Sequence, residues 1–492
     1  MRYKKEVAMF AILIFGSFLI LFRFTETPKV WVDEGVYTET ARNFAMHGVL
    51  GLQTAPGEFY PINYLLSTGY PVIIPVAASL KVFGIGVFQA RLPMVLYMFA
   101  LMIVFFLYAR RKYGWKPAIF STLFLLSFAP FYGNGRPVQG EVPGLFFIVL
   151  GALFILKWED GKFTSKKWAI LSGLAFGLAA ATKPIYLLGA GLAVLAALII
   201  WFKKLDKKAM IMFLSGAAIP MIFWLWIQFP NLESLQKLVP LYLHIASTHA
   251  DASLSTFQTV RNNLLKFFTE SSPILLLALL AMTAFSFLWK YFPIKTFSFL
   301  LRESQEKRDF SISEFILLGF ILLNFVGFLF GTGWYRYFFP ANTLLYLLFP
   351  AAILGLGSLL KVEWLRKLVI VIPIGLLLFQ FIHMVFLSET SLTQKRTRNS
   401  DLAGILSGID PTKTVFFYGG VDSIIFFKGS DYSLYLSMAD FLDTGNRDEV
   451  FDGKSDYILA GAGADTDFTL RCYDKKLVHG YYLYQKLDNC SK

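Results

Sequence analysis

Two adjacent acidic residues, Asp33 and Glu34, follow the first apolar segment of the chain. A carboxylate in such a place can act as a general base or as a ligand of a divalent cation such as Mg²⁺ or Mn²⁺. The stretch 34–46 also favours a helix, so Asp33 could be its N-cap and Glu34 could favour the positive end of the helix dipole. The pair alone leaves catalytic, metal-binding and capping roles open.

Three more short segments combine charged residues with glycine, proline or aromatic residues, and each lies between two apolar segments. They are 135–143 with Arg136 and Glu141, 181–184 with Lys183, and 333–340 with Tyr335 and Arg336. Each has an ordinary explanation, such as a cation reaching towards the headgroups or an aromatic residue at the membrane surface. Because all of them are predicted on one face, a shared site is the better hypothesis. Two acids with several cations suit a phosphate-bearing substrate, since cations hold the phosphate while an acid activates a nucleophile.

The overall composition indicates what kind of protein must position these residues. Of the 492 residues, 56% are hydrophobic and only 16% are charged, whereas soluble domains carry about 25% charged residues. A single soluble core stops growing at about 250–300 residues, so a soluble enzyme, a disordered chain and a disulfide scaffold are excluded. The chain is predicted to be a polytopic membrane protein. Its net charge of +13 then reflects membrane topology, and no nucleic-acid partner is expected.

Eleven apolar segments are candidates for membrane spans, which need about 17–25 apolar residues. They are 7–23, 88–109, 117–132, 142–157, 168–182, 184–202, 209–228, 272–292, 312–331, 337–360 and 366–388. The region 168–202 could also be one long broken helix. With the N-terminus in the cytoplasm, basic clusters such as 110–112 and 207–208 fall on the inner side, as the positive-inside rule predicts. The segment 65–84 is interpreted as a helix along the outer surface, because a twelfth span would move the cluster at 110–112 outside.

The composition changes after about residue 390, where charged residues, glycine and aspartate become more frequent. Strand-like runs occur at 414–418, 424–427, 457–460 and 481–484, and helical stretches at 400–408 and 434–442. Both cysteines, Cys472 and Cys490, lie here, either as a disulfide or as two free thiols. The predicted fold is an all-α polytopic membrane domain of about 11 transmembrane helices over 1–389. Its outer loop, 24–87, carries the acidic pair, and a small extracytoplasmic α/β domain follows over 390–492.

These motifs resemble those of the GT-C superfamily of integral-membrane glycosyltransferases. More closely, they are similar to the protein O-mannosyltransferase and aminoarabinose-transferase group, of the glycosyltransferase family 39 type. That group has an Asp-Glu pair in the first outer loop, a helix ending in a Phe-Gly turn, and an Ala-Arg-Leu-Pro start to the next span. Here they read Asp33-Glu34, Phe83-Gly84 and Ala90-Arg91-Leu92-Pro93. Segments 135–143 and 182–184 also match patterns of the group.

One element departs from the group. Many relatives carry an acidic-Lys-Pro-Pro element before the surface helix, where this chain has Ser67-Thr68-Gly69-Tyr70-Pro71. A phosphate-binding lysine is therefore missing at that position. Another cation, such as Lys183 or Arg336, is expected to replace it.

The resemblance implies a GT-C-like fold and transfer of a sugar, with inversion, from a polyprenyl-phosphate donor to an acceptor on the extracytoplasmic face. Asp33 would be the general base, and Glu34 and Glu141 would orient the acceptor or hold a divalent cation, with Asp33 and Glu141 as its ligands. The residues expected to bind the substrate and its phosphate are Lys183, Arg336, Arg91, Arg136, Tyr335 and Tyr70. The acceptor could be a glycan, a lipid or a protein. The membrane would be a prokaryotic cytoplasmic membrane, with the N-terminus inside.

Two other functions compete with this interpretation. A multispan transporter or flippase for a lipid-linked or anionic substrate would also need many spans. Such proteins tend to place ionisable groups near the middle of the bilayer and to contain paired repeats, whereas the span centres here carry almost no charge and no repeat is evident. A receptor or scaffold would not explain the acidic and basic residues on the outer face.

Overall fold

The computed structural model describes residues 2–62, 67–234, 236, 255–269, 283–284, 311–388, 398–438, 442–461, 468–478 and 480–488. Nearly all of the predicted span 272–292 lies outside these residues. The described helices are α1 Arg2–Leu21, α2 Val32–His47, α3 Tyr70–Phe83, α4 Val87–Tyr113, α5 Trp115–Ser127, α6 Ala129–Gly135, α7 Glu141–Asp160, α8 Lys166–Thr182, α9 Pro184–Trp201, α10 Lys207–Gln228, α11 Thr256–Thr269, α12 Ile312–Phe330, α13 Tyr335–Leu359, α14 Glu363–Ile382 and α15 Arg398–Leu406.

Among the described residues, seven helices are long and apolar enough to cross a membrane. They are α4, α7, α9, α10, α12, α13 and α14, some of them extended by a few residues. Five of them, α4, α9, α10, α12 and α14, carry exposed leucine, isoleucine or phenylalanine side chains, as expected for contact with lipid, whereas α7 and α13 are mostly buried. The chain is an integral membrane protein, and its predicted all-helical membrane body is confirmed.

Two predicted apolar segments are each interrupted one or two residues before a proline. The segment 117–132 is not one helix: α5 ends at Ser127, Phe128 is extended, and α6 begins at Ala129 with Pro130 in its first turn. The region 168–202 forms two helices rather than one, because Lys183 is extended immediately before Pro184. A residue before proline is disfavoured in the helical conformation, so Lys183 is held out of both neighbouring helices.

The helix α3 lies in the predicted surface segment. Its 14 residues correspond to about 21 Å of helix, which is less than the hydrocarbon thickness of about 30 Å. It packs against α2 and α4. Together with the short hairpin β1 Gly51–Ala55 and β2 Glu58–Pro61, these elements form the outer layer that carries the acidic pair.

The C-terminal region contains a five-stranded sheet in the order β4-β3-β7-β9-β8. The described strands are β3 Val415–Tyr418, β4 Tyr432–Tyr435, β5 Ser437–Met438, β6 Leu442–Asp443, β7 Tyr457–Ala460, β8 Tyr473–Val478 and β9 Tyr481–Lys486. β3 is parallel to β4 and β7, whereas β9 is antiparallel to β7 and β8. The small α/β region is confirmed. Cys472 is disulfide-bonded, and Cys490 lies outside the described residues.

Two local predictions in this region are wrong. The run 424–427 is part of a buried 3₁₀ helix, Val421–Phe426, which connects the parallel strands β3 and β4. The stretch 434–442, predicted as a helix, contains β4, β5 and the start of β6 in its described part. Short apolar runs have no distinctive period, so their local pattern does not separate a buried strand from a buried helical turn.

The C-terminal sheet shares a hydrophobic core with the outer layer. Leu402, Phe417 and Leu434 from the C-terminal region pack in one cluster with Val30 and Leu52 from the outer layer. A separate, larger cluster fills the membrane helices. The sheet therefore rests on α2 and its surroundings instead of standing apart from them.

Candidate active site

Asp33 lies in the first turn of α2, and its carboxylate pairs with Arg336 from the start of α13. The N-cap of α2 is Trp31, which makes no side-chain cap hydrogen bond, so the capping interpretation of Asp33 is wrong. Arg336 Nη1 donates to Asp33 Oδ2 at 3.0 Å across 303 residues of sequence. Both side chains remain 28–29% exposed. The pair is therefore accessible to a ligand.

The guanidinium of Arg336 is surrounded by aromatic rings. It lies 5.0 Å from the ring centre of Trp31, 4.9 Å from that of Trp334 and 5.1 Å from that of Tyr337. Its Nη2 donates to the Tyr337 hydroxyl at 3.2 Å, whereas its buried Nε has no hydrogen-bond partner among the described residues. Cation–π contacts hold the Arg336 guanidinium in place, and they do not use its Nε–H group.

Glu141 and Lys183 form a second ion pair. Glu141 begins α7, and Lys183 occupies the break between α8 and α9. Lys183 Nζ donates to Glu141 Oε1, and the two side chains are only 12% and 4% exposed. Burial lowers the pKa of Lys183, but the charge and hydrogen bond of Glu141 together with the effect of Tyr37 outweigh burial, and the pKa is raised. Glu141 Oε2 is buried and has no hydrogen-bond partner.

Tyr37 joins the two pairs. It lies one turn after Asp33 on α2, and its hydroxyl is 2.5 Å from the Ser67 hydroxyl. Burial raises the pKa of Tyr37, the positive charge of Lys183 opposes this rise, and the negative charge of Asp33 adds to it. Since Lys183 and Asp33 both act on this hydroxyl, the four charged residues and Tyr37 form one cluster, which we name the outer cluster.

The segment that departs from the relatives borders the outer cluster. The amide of Gly69 donates to the carbonyl of Thr182 at 3.0 Å, which ties the segment 67–70 to the break at Lys183. A Cβ atom at Gly69 would collide with the carbonyl of Ala181, so only glycine allows this approach. Lys183 thus stands beside the place where the relatives' lysine is missing.

Glu34 is enclosed by protein instead. Arg91 donates to its two carboxylate oxygens at 2.7 and 2.8 Å, and the side chains are 0% and 2% exposed. The other donors of Arg91 reach the carbonyls of Phe24 and Pro28 at 2.8 and 2.9 Å. Each of the three side-chain nitrogens of Arg91 has a protein acceptor, so Glu34 and Arg91 connect α2, α4 and the preceding segment.

Arg136 is also enclosed by protein, although its buried Nε has no hydrogen-bond partner among the described residues. Its guanidinium donates to the carbonyls of Leu19 and Phe22, both at 2.9 Å, and to the side chain and carbonyl of Thr27. The residue is fully buried. Arg91 and Arg136, both predicted to bind phosphate, are therefore not brought to the outer cluster, because their guanidinium groups hold the segment before α2.

The hydroxyl groups of the two predicted tyrosines bond to groups other than the four charged side chains. The Tyr335 hydroxyl accepts a hydrogen bond from the Asn342 amide. Tyr70 donates to the Pro220 carbonyl at 3.4 Å, and its ring packs edge-on against Phe223 at 4.7 Å. Tyr70 and Gly69 line an apolar pocket of about 210 Å³ between α3 and α10. Its other lining residues are Phe44, Leu50, Ile73, Ile74, Phe223, Trp226, Ile227 and Gln228.

The outer cluster fits a divalent cation poorly. The two predicted ligands, Asp33 and Glu141, already pair with Arg336 and Lys183. Within the described part of the chain, no group of three or more histidine, cysteine, aspartate or glutamate side chains comes together. Divalent cations of this kind need several oxygen ligands without competing cations. We therefore assign no metal-binding role to Asp33 or Glu141.

Tyr37 is not among the catalytic and substrate-binding residues predicted from the sequence. Its spacing of four residues from Asp33 would place both on one face of a helix, which is the signal that could have indicated it. Ser67 carries no such signal, because its contact with Tyr37 depends on how the outer layer folds.

The overall fold is shared with solved structures of known glycosyl-transfer proteins. ArnT from Cupriavidus metallidurans bound to undecaprenyl phosphate matches with a TM-score of 0.61 at 15% identity, over 98% of each chain. The archaeal oligosaccharyltransferase AglB from Archaeoglobus fulgidus, in complex with an inhibitory peptide and a dolichol-phosphate, matches with a TM-score of 0.51 at 10% identity. That match covers 94% of this chain and 70% of AglB. The chain has the GT-C fold.

Similarity in sequence is more limited. The family model described as dolichyl-phosphate-mannose-protein mannosyltransferase matches residues 73–227. This range includes Glu141 and Lys183 but neither Asp33 nor Arg336. No curated protein matches the chain in sequence. The fold prediction is confirmed, and the roles of the individual residues remain predictions.

Proposed function

We propose that this protein transfers a sugar from a polyprenyl-phosphate-linked donor to an acceptor on the extracytoplasmic face of the membrane. The observation that carries the proposal is the outer cluster itself. Four separated segments bring two cations and two carboxylates together beside an apolar pocket. Cations suit a phosphate, a carboxylate suits an acceptor hydroxyl, and an apolar pocket suits a prenyl chain.

The similar proteins support this choice of donor. ArnT is bound to undecaprenyl phosphate and AglB to a dolichol-phosphate in their structures. The matching family model is named for a dolichyl-phosphate-mannose donor and a protein acceptor. All three names include a lipid phosphate, whereas only the name of the family model includes an acceptor. We therefore propose the lipid-phosphate donor and leave the choice among glycan, lipid and protein acceptors to experiment.

The donor phosphate would bind between Lys183 and Arg336. Arg336 Nε is buried without a partner, and Lys183 lies beside Gly69, which also lines the apolar pocket. A phosphate at Lys183 would thus leave its prenyl chain close to Tyr70 and Phe223. Tyr70 would contact the chain through its ring, because its hydroxyl already donates to a backbone carbonyl.

Asp33 would act as the general base. An arriving phosphate would compete for Arg336 and free the carboxylate oxygen of Asp33 that Arg336 holds. Asp33 takes the proton of the acceptor hydroxyl as the acceptor oxygen attacks the anomeric carbon. The new glycosidic bond forms while the bond from that carbon to the phosphate oxygen breaks, which inverts the configuration. The leaving group is polyprenyl phosphate, and Lys183 and Arg336 stabilise its charge.

Glu141 would orient a hydroxyl group. Its Oε2 is buried without a partner, while Oε1 accepts from Lys183. A hydroxyl of the sugar or of the acceptor would satisfy this oxygen, and leaving it unsatisfied costs about 1–3 kcal/mol. Glu34 has a different role in the proposal, since its bidentate pair with Arg91 places α2.

We also propose the predicted organisation and topology. The membrane domain would extend over 1–389 and the extracytoplasmic domain over 390–492, with the N-terminus in the cytoplasm of a prokaryotic cell. The outer cluster would then face away from the cytoplasm. Labelling of engineered single cysteines by a membrane-impermeant reagent in intact cells would test this orientation.

The decisive experiment uses purified protein reconstituted in lipid vesicles. A labelled polyprenyl-phosphate sugar is supplied with separate lipid, glycan and protein acceptor fractions, and the products are resolved chromatographically. Label transferred to an acceptor, with release of polyprenyl phosphate, supports the proposal. A donor that crosses the bilayer chemically unchanged would contradict it and favour a transporter or flippase. Asp33→Asn protein is the control for transfer by a contaminant.

A further inference from the structure

One buried side chain of the C-terminal region forms hydrogen bonds with the segment that leads into α2. Asn399, at the start of α15, is 3% exposed. Its Oδ1 accepts from the amide of Val30 at 2.8 Å, and its Nδ2 lies 3.1–3.2 Å from the carbonyls of Thr25, Glu26 and Pro28. Both ends of the amide are therefore bonded to four residues within the segment 25–30, which ends three positions before Asp33.

The C-terminal region also contacts one face of α2. At Gly35, an added Cβ atom would lie 2.6 Å from both Cα and N of Asp422, so the two backbones touch. Arg42, two turns further along α2, donates to the carbonyls of Phe427 and Gly429 at 3.1 and 2.5 Å. Between them, Glu39 accepts from the Tyr432 hydroxyl. Positions 35, 39 and 42 are three or four residues apart, so they lie on a single face of α2.

A different face of the same helix belongs to the outer cluster. Asp33 pairs with Arg336, and Tyr37 contacts Ser67. The helix is thus held between the C-terminal region on one side and the reactive groups on another. A displacement of α2 at Gly35 also moves Asp33, because the helix is rigid over these few residues. A displacement of the segment 25–30 moves Asp33 as well, because this segment leads directly into α2.

We infer that the C-terminal region is a positioning element of the active site, acting through Asn399 and through the contact between Gly35 and Asp422. The inference rests on the proposed role of Asp33 as the base. Asn399 and Gly35 touch no reacting atom, and they set where the carboxylate of Asp33 stands relative to Lys183 and Arg336. A misplacement of about 1 Å can lower the rate of the chemical step about 10²-fold.

The test compares two variants with two matched controls in the full-length protein. Asn399→Ala removes the amide that forms hydrogen bonds with the segment 25–30. Its control, Asn262→Ala, removes an amide at an exposed position of α11. Gly35→Ala introduces the collision with Asp422, whereas Gly404→Ala adds a Cβ atom where no other atom lies within 4 Å. Alanine favours a helix over glycine by about 1 kcal/mol, so Gly35→Ala would stabilise α2 if the contact had no importance.

The expected result is a fall in kcat of roughly 10- to 100-fold in Asn399→Ala and Gly35→Ala. The KM for the lipid-linked donor should change less than about threefold, since Lys183 and Arg336 stay in place. Asn262→Ala and Gly404→Ala should match the wild type. A rate at the wild-type level in both test variants, or a loss accounted for by the fraction of unfolded protein, would overturn the inference.

Hydrogen–deuterium exchange gives a readout that needs no activity. Peptides covering 25–47 should exchange faster in Asn399→Ala and Gly35→Ala than in the wild type, while peptides from α7 and α12 keep their rates. Unchanged exchange in 25–47 would overturn the inference even if kcat fell. A wild-type protein that transfers no sugar would contradict the proposed function, and the exchange comparison alone would then decide whether the C-terminal region holds α2.

Discussion

Asp33 and Glu34 are neighbours in sequence, yet they belong to two different regions of the molecule. Glu34 lies in a closed region with Arg91 and Arg136, whose side chains are fully buried and bonded to protein atoms except at Arg136 Nε. Asp33 lies in the outer cluster, where the ion pair is partly exposed and both Arg336 Nε and Glu141 Oε2 lack partners. One step along a helix turns the side chain by about 100°, which is enough to separate the two environments.

This difference indicates where chemistry is to be expected. A bidentate pair that is fully buried and fully hydrogen-bonded has no capacity left for a substrate, and it serves to hold α2. An ion pair that is partly exposed and has unsatisfied polar atoms nearby can still bind a substrate. Charge alone therefore does not identify a functional arginine, since Arg91, Arg136 and Arg336 carry the same group in different surroundings.

The largest effect is expected for Asp33→Asn. The amide keeps the shape of the side chain but cannot accept a proton, so kcat should fall about 10²- to 10⁴-fold. Because the side chain is 29% exposed, the folded fraction should remain that of the wild type. The measurement is sugar transfer at saturating donor, and Glu363→Gln, at an exposed carboxylate of α14, is the matched control. Turnover at the wild-type rate would show that Asp33 is not the base.

Arg91→Met should act on stability instead. It leaves the carboxylate of Glu34 buried without its partner, which lowers the free energy of unfolding by about 3–5 kcal/mol. The folded fraction should keep the donor KM of the wild type, and the double variant Glu34→Gln/Arg91→Met should recover part of the stability. Denaturant titration and transfer kinetics measure the two effects. Normal stability with a strongly raised donor KM would instead place Arg91 among the phosphate ligands.

Lys183→Met should lower kcat/KM for the donor by about 10²-fold, since a charge-assisted contact of a few kcal/mol to the phosphate is lost. It also leaves Glu141 buried without its partner. The double variant Glu141→Gln/Lys183→Met separates the two consequences, because it should restore stability without restoring transfer. Donor binding and thermal unfolding are the measurements. If the double variant transferred sugar normally, the pair would be structural like Glu34 and Arg91.

The smallest effects are expected at Tyr70. Tyr70→Phe should stay within about twofold of the wild type, because the hydroxyl donates only to the Pro220 carbonyl and a neutral hydrogen bond contributes about 1 kcal/mol. Tyr70→Ala should raise the KM of long-chain donors by roughly tenfold through lost apolar contact, and that of short-chain donors less. Equal effects on both chain lengths would argue against a prenyl chain in the apolar pocket.

Much of the fold could be predicted from local sequence, and the failures are informative. The membrane helices and the strands at 457–460 and 481–484 follow from hydropathy and composition. The run 424–427 became a 3₁₀ helix because it connects two parallel strands, a constraint that lies outside the run. Pro130 indicates the break within 117–132, but hydropathy alone takes no account of the effect of proline on a helix.

The candidate site was predictable in its residue types but not in its pairing. The sequence by itself determined that the chain enters a membrane, that Pro184 forces Lys183 out of the helices, and that acidic and basic residues gather at segment ends. These are properties of short stretches, set by transfer free energy and backbone sterics. Only the tertiary structure decided that Asp33 meets Arg336, that Glu34 meets Arg91, and that Asn399 grips the segment before α2. Such pairs join residues far apart in the chain, and burial, which differs between neighbouring residues, determines whether each charge is enclosed by protein or left for a substrate.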